Sequence, residues 1–230
     1  MIIGKKYIIL AAVILAVAAT VAVLLLSGGK KQPVMADGVK IVLDAGHGYP
    51  DGGAVGSDGT QEKDINLAIT EKLREVLEGR GYVVVMTRDG DSGLQDESAG
   101  TIREMKKSDM NKRREIVEKS GADLFLSIHM NSFSDPKVSG LHIFYDKAHP
   151  EAETLAKSIQ QKIGEVTGAE THTVKTADDG LFLMKNSPIP AILAECGFLS
   201  NPDEVEKLKD EAYQAKIAWA IAEAIGEYTN

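Results

Sequence analysis

Cysteine is all but missing from this 230-residue chain, where Cys196 stands alone. A single thiol excludes an internal disulfide and any zinc site built from several cysteines. An excess of basic charge is missing as well. The net charge is −8, and the first 31 residues hold four lysines and no acid, so the acidity lies wholly in residues 32–230. A phosphate backbone repels such a domain, which excludes nucleic acid as a partner. No internal repeat or low-complexity tract is present beyond the N-terminal segment. A compact H-E-x-x-H pair is also lacking, so any metal ligands must be drawn from distant stretches. With 43% hydrophobic and 26% charged residues, global disorder is excluded and a packed core is within reach.

The one long hydrophobic run lies at the N-terminus. Lys5 and Lys6 precede an uncharged stretch from Tyr7 to Leu26. About 20 apolar residues cross a bilayer core as a helix, whereas the apolar part of a signal peptide is about 7–15 residues. Residues 1–26 are therefore expected to be a membrane anchor or a signal segment, with Val34-Met35-Ala36 as a candidate cleavage site. Either way the remainder is delivered across the membrane. Residues 27–38 are small and polar and read as a linker, and 39–230 form the globular part.

Within that part, apolar strands are expected at 40–45, 82–87, 124–129, 141–145 and 191–195. Helical periods run over 63–80, 109–119, 151–163 and 212–228. The stretch 89–108 reads as polar and irregular. Strands alternating with helices predict an α/β domain: a twisted, mostly parallel sheet with helices on both faces. Ligand sites in open sheets of this kind gather at the carboxyl ends of strands. His47 falls just past the first strand, His129 ends the 124–129 strand, and Glu195 ends the 191–195 strand. Glu62 sits just before the first helix, near the same edge.

Two imidazoles and a carboxylate can hold a zinc ion and leave a fourth position open for water, the mark of a hydrolytic site. Each residue alone has a plainer reading. His47 suits a glycine-rich loop, His129 a hydrogen-bonded core position, and Glu62 the positive end of a helix dipole. It is their convergence on one edge that favours a metal. Glu195 is flanked by apolar residues, so burial is expected to raise its pKa and suit it to move a proton between water and a leaving amine. Cys196 reads as a small buried hydrophobe rather than a nucleophile. His142, within a strand, faces either the site or the core. His149 and His172 read as surface loop residues, and Leu181 to Met184 as a groove wall.

At these residues the chain resembles the zinc-dependent N-acetylmuramoyl-L-alanine amidases of the amidase-3 type. The matching pieces are Leu43-Asp44-Ala45-Gly46-His47-Gly48, Asp51-Gly52-Gly53-Ala54-Val55-Gly56, Glu62-Lys63-Asp64, Thr87-Arg88, Ser127-Ile128-His129-Met130-Asn131, and Glu195-Cys196-Gly197-Phe198-Leu199-Ser200-Asn201-Pro202. Ala45, Tyr49 and Cys196 depart from the usual pattern, and none of them removes a ligand. The resemblance implies one zinc per chain bound by His47, Glu62 and His129, with Glu195 as catalytic carboxylate. It implies hydrolysis of the amide joining N-acetylmuramic acid to L-alanine in peptidoglycan. The germination-specific, spore-cortex members are the nearer match, through Thr101 to Arg113 and Gly180 to Asn186. They imply a step towards muramic-δ-lactam, made between the membranes of a developing spore.

Asn131 is a candidate for steadying the oxyanion. Arg88 and Arg113 would contact substrate carboxylates or else make structural ion pairs. The missing wall-binding repeats suggest an accessory protein. Two rival functions share these residues: a zinc exopeptidase or deacetylase on the same scaffold, and a membrane-anchored wall-binding module without catalysis.

Overall fold

The structure, a computed structural model, describes residues 38–178, 180–185 and 187–229. The anchor or signal expected at 1–26, and nearly all of the linker, lie outside the described residues. Among those residues no helix is long and apolar enough to cross a membrane.

Six strands form one sheet: β1 Lys40–Ala45, β2 Val83–Met86, β3 Leu124–Asn131, β4 His142–Tyr145, β5 Lys175–Thr176 and β6 Ala191–Phe198. Their order is β2-β1-β3-β6-β4-β5. All neighbours run parallel except β4, which is antiparallel to β6. The central strands are apolar almost without alternation because helices cover both faces, as parallel sheets require. Ile41, Val42 and Leu43 are fully buried for that reason.

Five helices are described: α1 Glu62–Glu78, α2 Ile102–Lys119, α3 Ala152–Thr167, α4 Pro202–Lys209 and α5 Glu211–Tyr228. The main core joins one sheet face to Ile65, Ile69, Leu73 and Leu77 of α1, Leu155 and Ile159 of α3, and Ile217 and Ile221 of α5. A smaller cluster on the other face joins Val42, Phe125 and Leu193 to Val117 of α2 and to Met184. The twisted, mostly parallel α/β sheet with helices on both faces is thus as expected.

The elements differ from the periodic reading at several points: β3 runs on to Asn131, which places His129 inside the strand rather than at its end, and the short edge strand β5 was not expected. Helix α2 starts at Ile102, not 109. Thr101 and Glu104 form a reciprocal capping box that begins the helix inside a polar stretch carrying no apolar period. Strand β6 runs on to Phe198, which places Glu195 inside the strand rather than at its end. Helix α4, not anticipated, starts from Asn201, whose side chain accepts from the Asp203 and Glu204 N–H groups, with Pro202 in the first turn.

Candidate functional site

Three segments meet at the carboxyl edge of β1 and β3. The chain leaves β1 through Gly46 into a loop where His47 adopts a left-handed backbone, φ 61°. A non-glycine residue there is strained and needs support from its surroundings. Arg113 provides it by donating through Nη2 to the His47 carbonyl and through Nη1 to that of Ala45, the latter at 2.8 Å. Gly46 leaves room for the His129 ring, since a Cβ at that position would overlap it. Gly53, at φ 70°, likewise leaves room for the Glu62 carboxylate and the His47 ring.

The ligand atoms come together as a result. His47 Nε2 stands 3.1 Å from Glu62 Oε2. His129 Nδ1 stands 2.9 Å from Glu62 Oε1. The three residues offer donor atoms all within 4.8 Å of one another. Tetrahedral zinc ligands at about 2.0–2.1 Å from the ion lie about 3.3 Å apart, so this donor set fits one ion with small adjustments.

The carboxylate is oriented from behind. Ala54 N–H donates to Glu62 Oε2 at 2.8 Å, and Met130 N–H donates to Oε1 at 3.1 Å. Asn66 Nδ2 reaches Oε1 at 3.3 Å and the Gly46 carbonyl at 3.1 Å. His47 Nδ1 donates to Asp51 Oδ2 at 3.1 Å, which fixes the tautomer that leaves Nε2 facing the cluster. Burial alone would push Glu62 up, but the two imidazoles hold it below the usual carboxylate range. Burial alone would lower His47, yet Asp51 and Glu62 raise it to about 9.

Glu195 lies beside His129 in the β3–β6 register. Burial, with a smaller push from the Glu62 charge and against the pull of His129, lifts its carboxyl to about 7. Its Oε2 is buried and has no hydrogen-bond partner. Burial also drives the Cys196 thiol far up, which leaves it inert.

Arg88 and Arg113 are both buried, Arg113 completely. Arg88 donates to the carbonyls of Ala45, Gly46, Lys63 and Gly90. Arg113 pairs with Asp44 Oδ1 at 2.6 Å and Asp109 Oδ2 at 2.8 Å. The donors of both are taken up inside the molecule, those of Arg113 by two carboxylates as in the structural ion-pair alternative and those of Arg88 by backbone carbonyls. Asn131 ends β3 with its Oδ1 accepting from Ser132 N–H. Sequence reasoning missed Asp44, Asp51, Asn66 and Asp109 as supports, although Asp44 and Asp51 lie inside the family-like motifs. His172 lies in a loop and is half-buried, and its ring packs edge-on against His142, centroids 4.5 Å apart.

A cavity of about 510 Å³ opens beside His47 and His129, between α2 and the 180–184 turn. Leu181 to Met184 line it, as the groove-wall reading expects. Arg114 lies over the Phe182 ring, 3.8 Å from its centroid, and bonds the Phe182 carbonyl, tying that turn to α2.

An α/β sheet edge carrying two imidazoles, one carboxylate and a buried acid defines a hydrolase class able to use one metal ion. Within that class the assignment is specific: the chain belongs to the N-acetylmuramoyl-L-alanine amidase family, whose profile matches residues 41–227. It is 38% identical over 188 residues to the germination-specific N-acetylmuramoyl-L-alanine amidase of Bacillus subtilis (strain 168), covering 82% of this chain and 78% of that one. Among solved structures, the CwlD amidase from Clostridioides difficile, determined in complex with the GerS lipoprotein, matches with a TM-score of 0.80 at 45% identity. That match covers 83% of this chain and 98% of the other. The catalytic domain of CwlV, an amidase from Bacillus (Paenibacillus) polymyxa var. colistinus, matches with a TM-score of 0.71 at 30% identity, covering 83% and 97%. The enzyme class expected from the motifs, N-acetylmuramoyl-L-alanine amidase, therefore holds.

Proposed function

We propose that this chain cleaves the amide between the lactyl group of N-acetylmuramic acid and L-alanine, using one zinc ion held by His47, Glu62 and His129. The observation that carries the reading is the unpartnered, buried Oε2 of Glu195 beside a three-ligand cluster. A carboxyl left without a hydrogen-bond partner at such a place is suited to exchanging protons with a substrate. Zinc held by these ligands would supply Lewis acidity, bringing the pKa of water from about 15.7 towards 7. Glu195 takes the proton of the attacking water and returns it to the alanine nitrogen as the amide breaks. Asp51 keeps His47 in its ligating tautomer. Asn131 serves as a polar group near the developing oxyanion.

In this reading residues 39–230 are the catalytic domain, and 1–26 carry it to the outer face of the membrane as an anchor or signal. The work is spore-cortex maturation, a reading supported by the similarity to a germination-specific amidase. An accessory protein is part of the proposal, since the similar CwlD amidase was solved with the GerS lipoprotein. The test is digestion of cortex-type peptidoglycan with and without chelator, read by mass spectrometry. Stem peptides bearing a free alanine amine, released only without chelator, are expected. Intact glycopeptide in both arms would refute the reading.

A further inference from the structure

The sheet register carries an additional set of groups past Glu195. His129, Glu195 and His142 are direct partners across β3, β6 and β4. Residues directly opposite one another point to the same face of a sheet, with Cβ atoms about 4.5–5.5 Å apart. His142 thus stands on the far side of Glu195 from the metal ligands. Two residues along β4, Phe144 points to this same face and pairs with Lys175 of the edge strand β5. Lys175 is exposed. His172, three residues before it, packs edge-on against His142 and donates Nε2–H to the Ser139 carbonyl at 2.9 Å. His142 packs its other side on Phe198, centroids 5.4 Å apart. Burial first, then His172 and Lys175, favour the neutral His142 ring. In a chain of net charge −8, Lys175 places a positive charge beside two polar rings on the strands next to the proposed proton donor.

We propose that His142, His172 and Lys175 form a subsite for an anionic group on the peptide portion of the substrate, a carboxylate of the residue that comes after the alanine. The inference rests on the amidase reading. Glu195 must stand nearest the nitrogen that it protonates, so the peptide on that nitrogen continues past Glu195, away from the metal and over β4. Lys175 lies two strands across and two residues along from Glu195, about 12 Å at ordinary strand spacing and rise. An extended peptide advances about 3.5 Å per residue. The alanine therefore falls short of Lys175, while the side chain of the next residue reaches it. His142 contributes a ring N–H donor, His172 holds that ring in place through its edge-on contact, and the lysine supplies a point charge.

The experiment compares N-acetylmuramoyl-L-alanyl-D-glutamate with its uncharged diamide as substrates for the wild type, H142F and K175E. H142F keeps the ring packing and removes the nitrogens. K175E changes only an exposed edge position. A partly exposed ion pair is worth up to about 1 kcal/mol, about fivefold in affinity. The wild type is expected to show a KM for the acid about three- to fivefold below that for the diamide. Each variant is expected to close the gap by raising KM for the acid alone, at unchanged kcat. Equal treatment of the two substrates by the wild type, or a gap that persists in either variant, would overturn the proposal. If the wild type cleaves neither, the amidase reading fails by itself. The subsite is then judged by equilibrium binding of L-alanyl-D-glutamate and its diamide, where equal affinities overturn it.

Discussion

His129 Nδ1 and Glu62 Oε1 lie 2.9 Å apart although 67 residues separate them in the chain. One lies near the end of the central strand β3 and the other opens the first helix, and no local turn could bring them together. The contact exists because β1 and β3 are parallel neighbours and α1 starts above their shared carboxyl edge.

Replacing Glu195 by Gln keeps the shape and removes the proton exchange. We expect E195Q to lose about 10²–10⁴-fold in kcat while retaining its metal. Activity assays paired with metal analysis of the purified variant check this. Unchanged turnover would remove Glu195 from the chemistry.

The wild type is expected to hold close to one zinc per chain, and H129A close to none. Elemental analysis reads both, and chelator followed by zinc should abolish and restore activity. Two metals per chain would point instead to an exopeptidase-like site.

Gly53 carries a positive φ and leaves no room for a Cβ against the Glu62 carboxylate. G53A should therefore weaken zinc binding by about 10–100-fold with a smaller effect on folding. Competition against a zinc chelator measures it. Affinity equal to the wild type would show that the carboxylate can shift freely.

The buried pair of Arg113 and Asp44 predicts a large stability effect. R113M leaves Asp44 and Asp109 without their cation and should cost about 3–5 kcal/mol, a fall of about 6–20 °C in Tm for a domain of this size. Thermal unfolding followed by circular dichroism checks it. Arg113 also supports the strained His47 carbonyl, so metal affinity should fall with stability.

Asp44 adds a pH dependence. Burial opposes its charge, but Arg113, Ser127 and Thr87 hold it at about 2, below its ordinary 3.8. A carboxyl depressed on folding stabilises the protein above its unfolded pKa, and the contribution fades as pH falls through the folded value. That contribution is about 2 kcal/mol. The gap in unfolding free energy between the wild type and D44N should shrink between pH 5 and pH 2 in urea titrations. A gap constant with pH would show that Asp44 is not the group responsible.

Much of this was legible in the residues themselves. Apolar runs at β1, β3 and β6 and the 3.6-residue period of α1 and α5 are local signals, and they survive in the fold because burial favours that same pattern. The convergence of His47, His129 and Glu62 was legible too, because they are metal-competent side chains near strand and helix ends. Glu195 showed itself as a carboxylate in an apolar run. Helix α2 was half hidden, since its first turns lie on a polar surface and carry only a cap.

What the order of residues determined is most of the elements, the metal-competent side chains and the edge on which they fall. Tertiary structure alone decided which groups support them. That Asp51 would orient His47, that Arg113 would be taken up by Asp44 and the loop carbonyls, and that His142 would stand beside Glu195 are all consequences of strand register and helix placement. Those depend on pairings between residues far apart in the chain, where a shift of one residue turns every side chain to the opposite face.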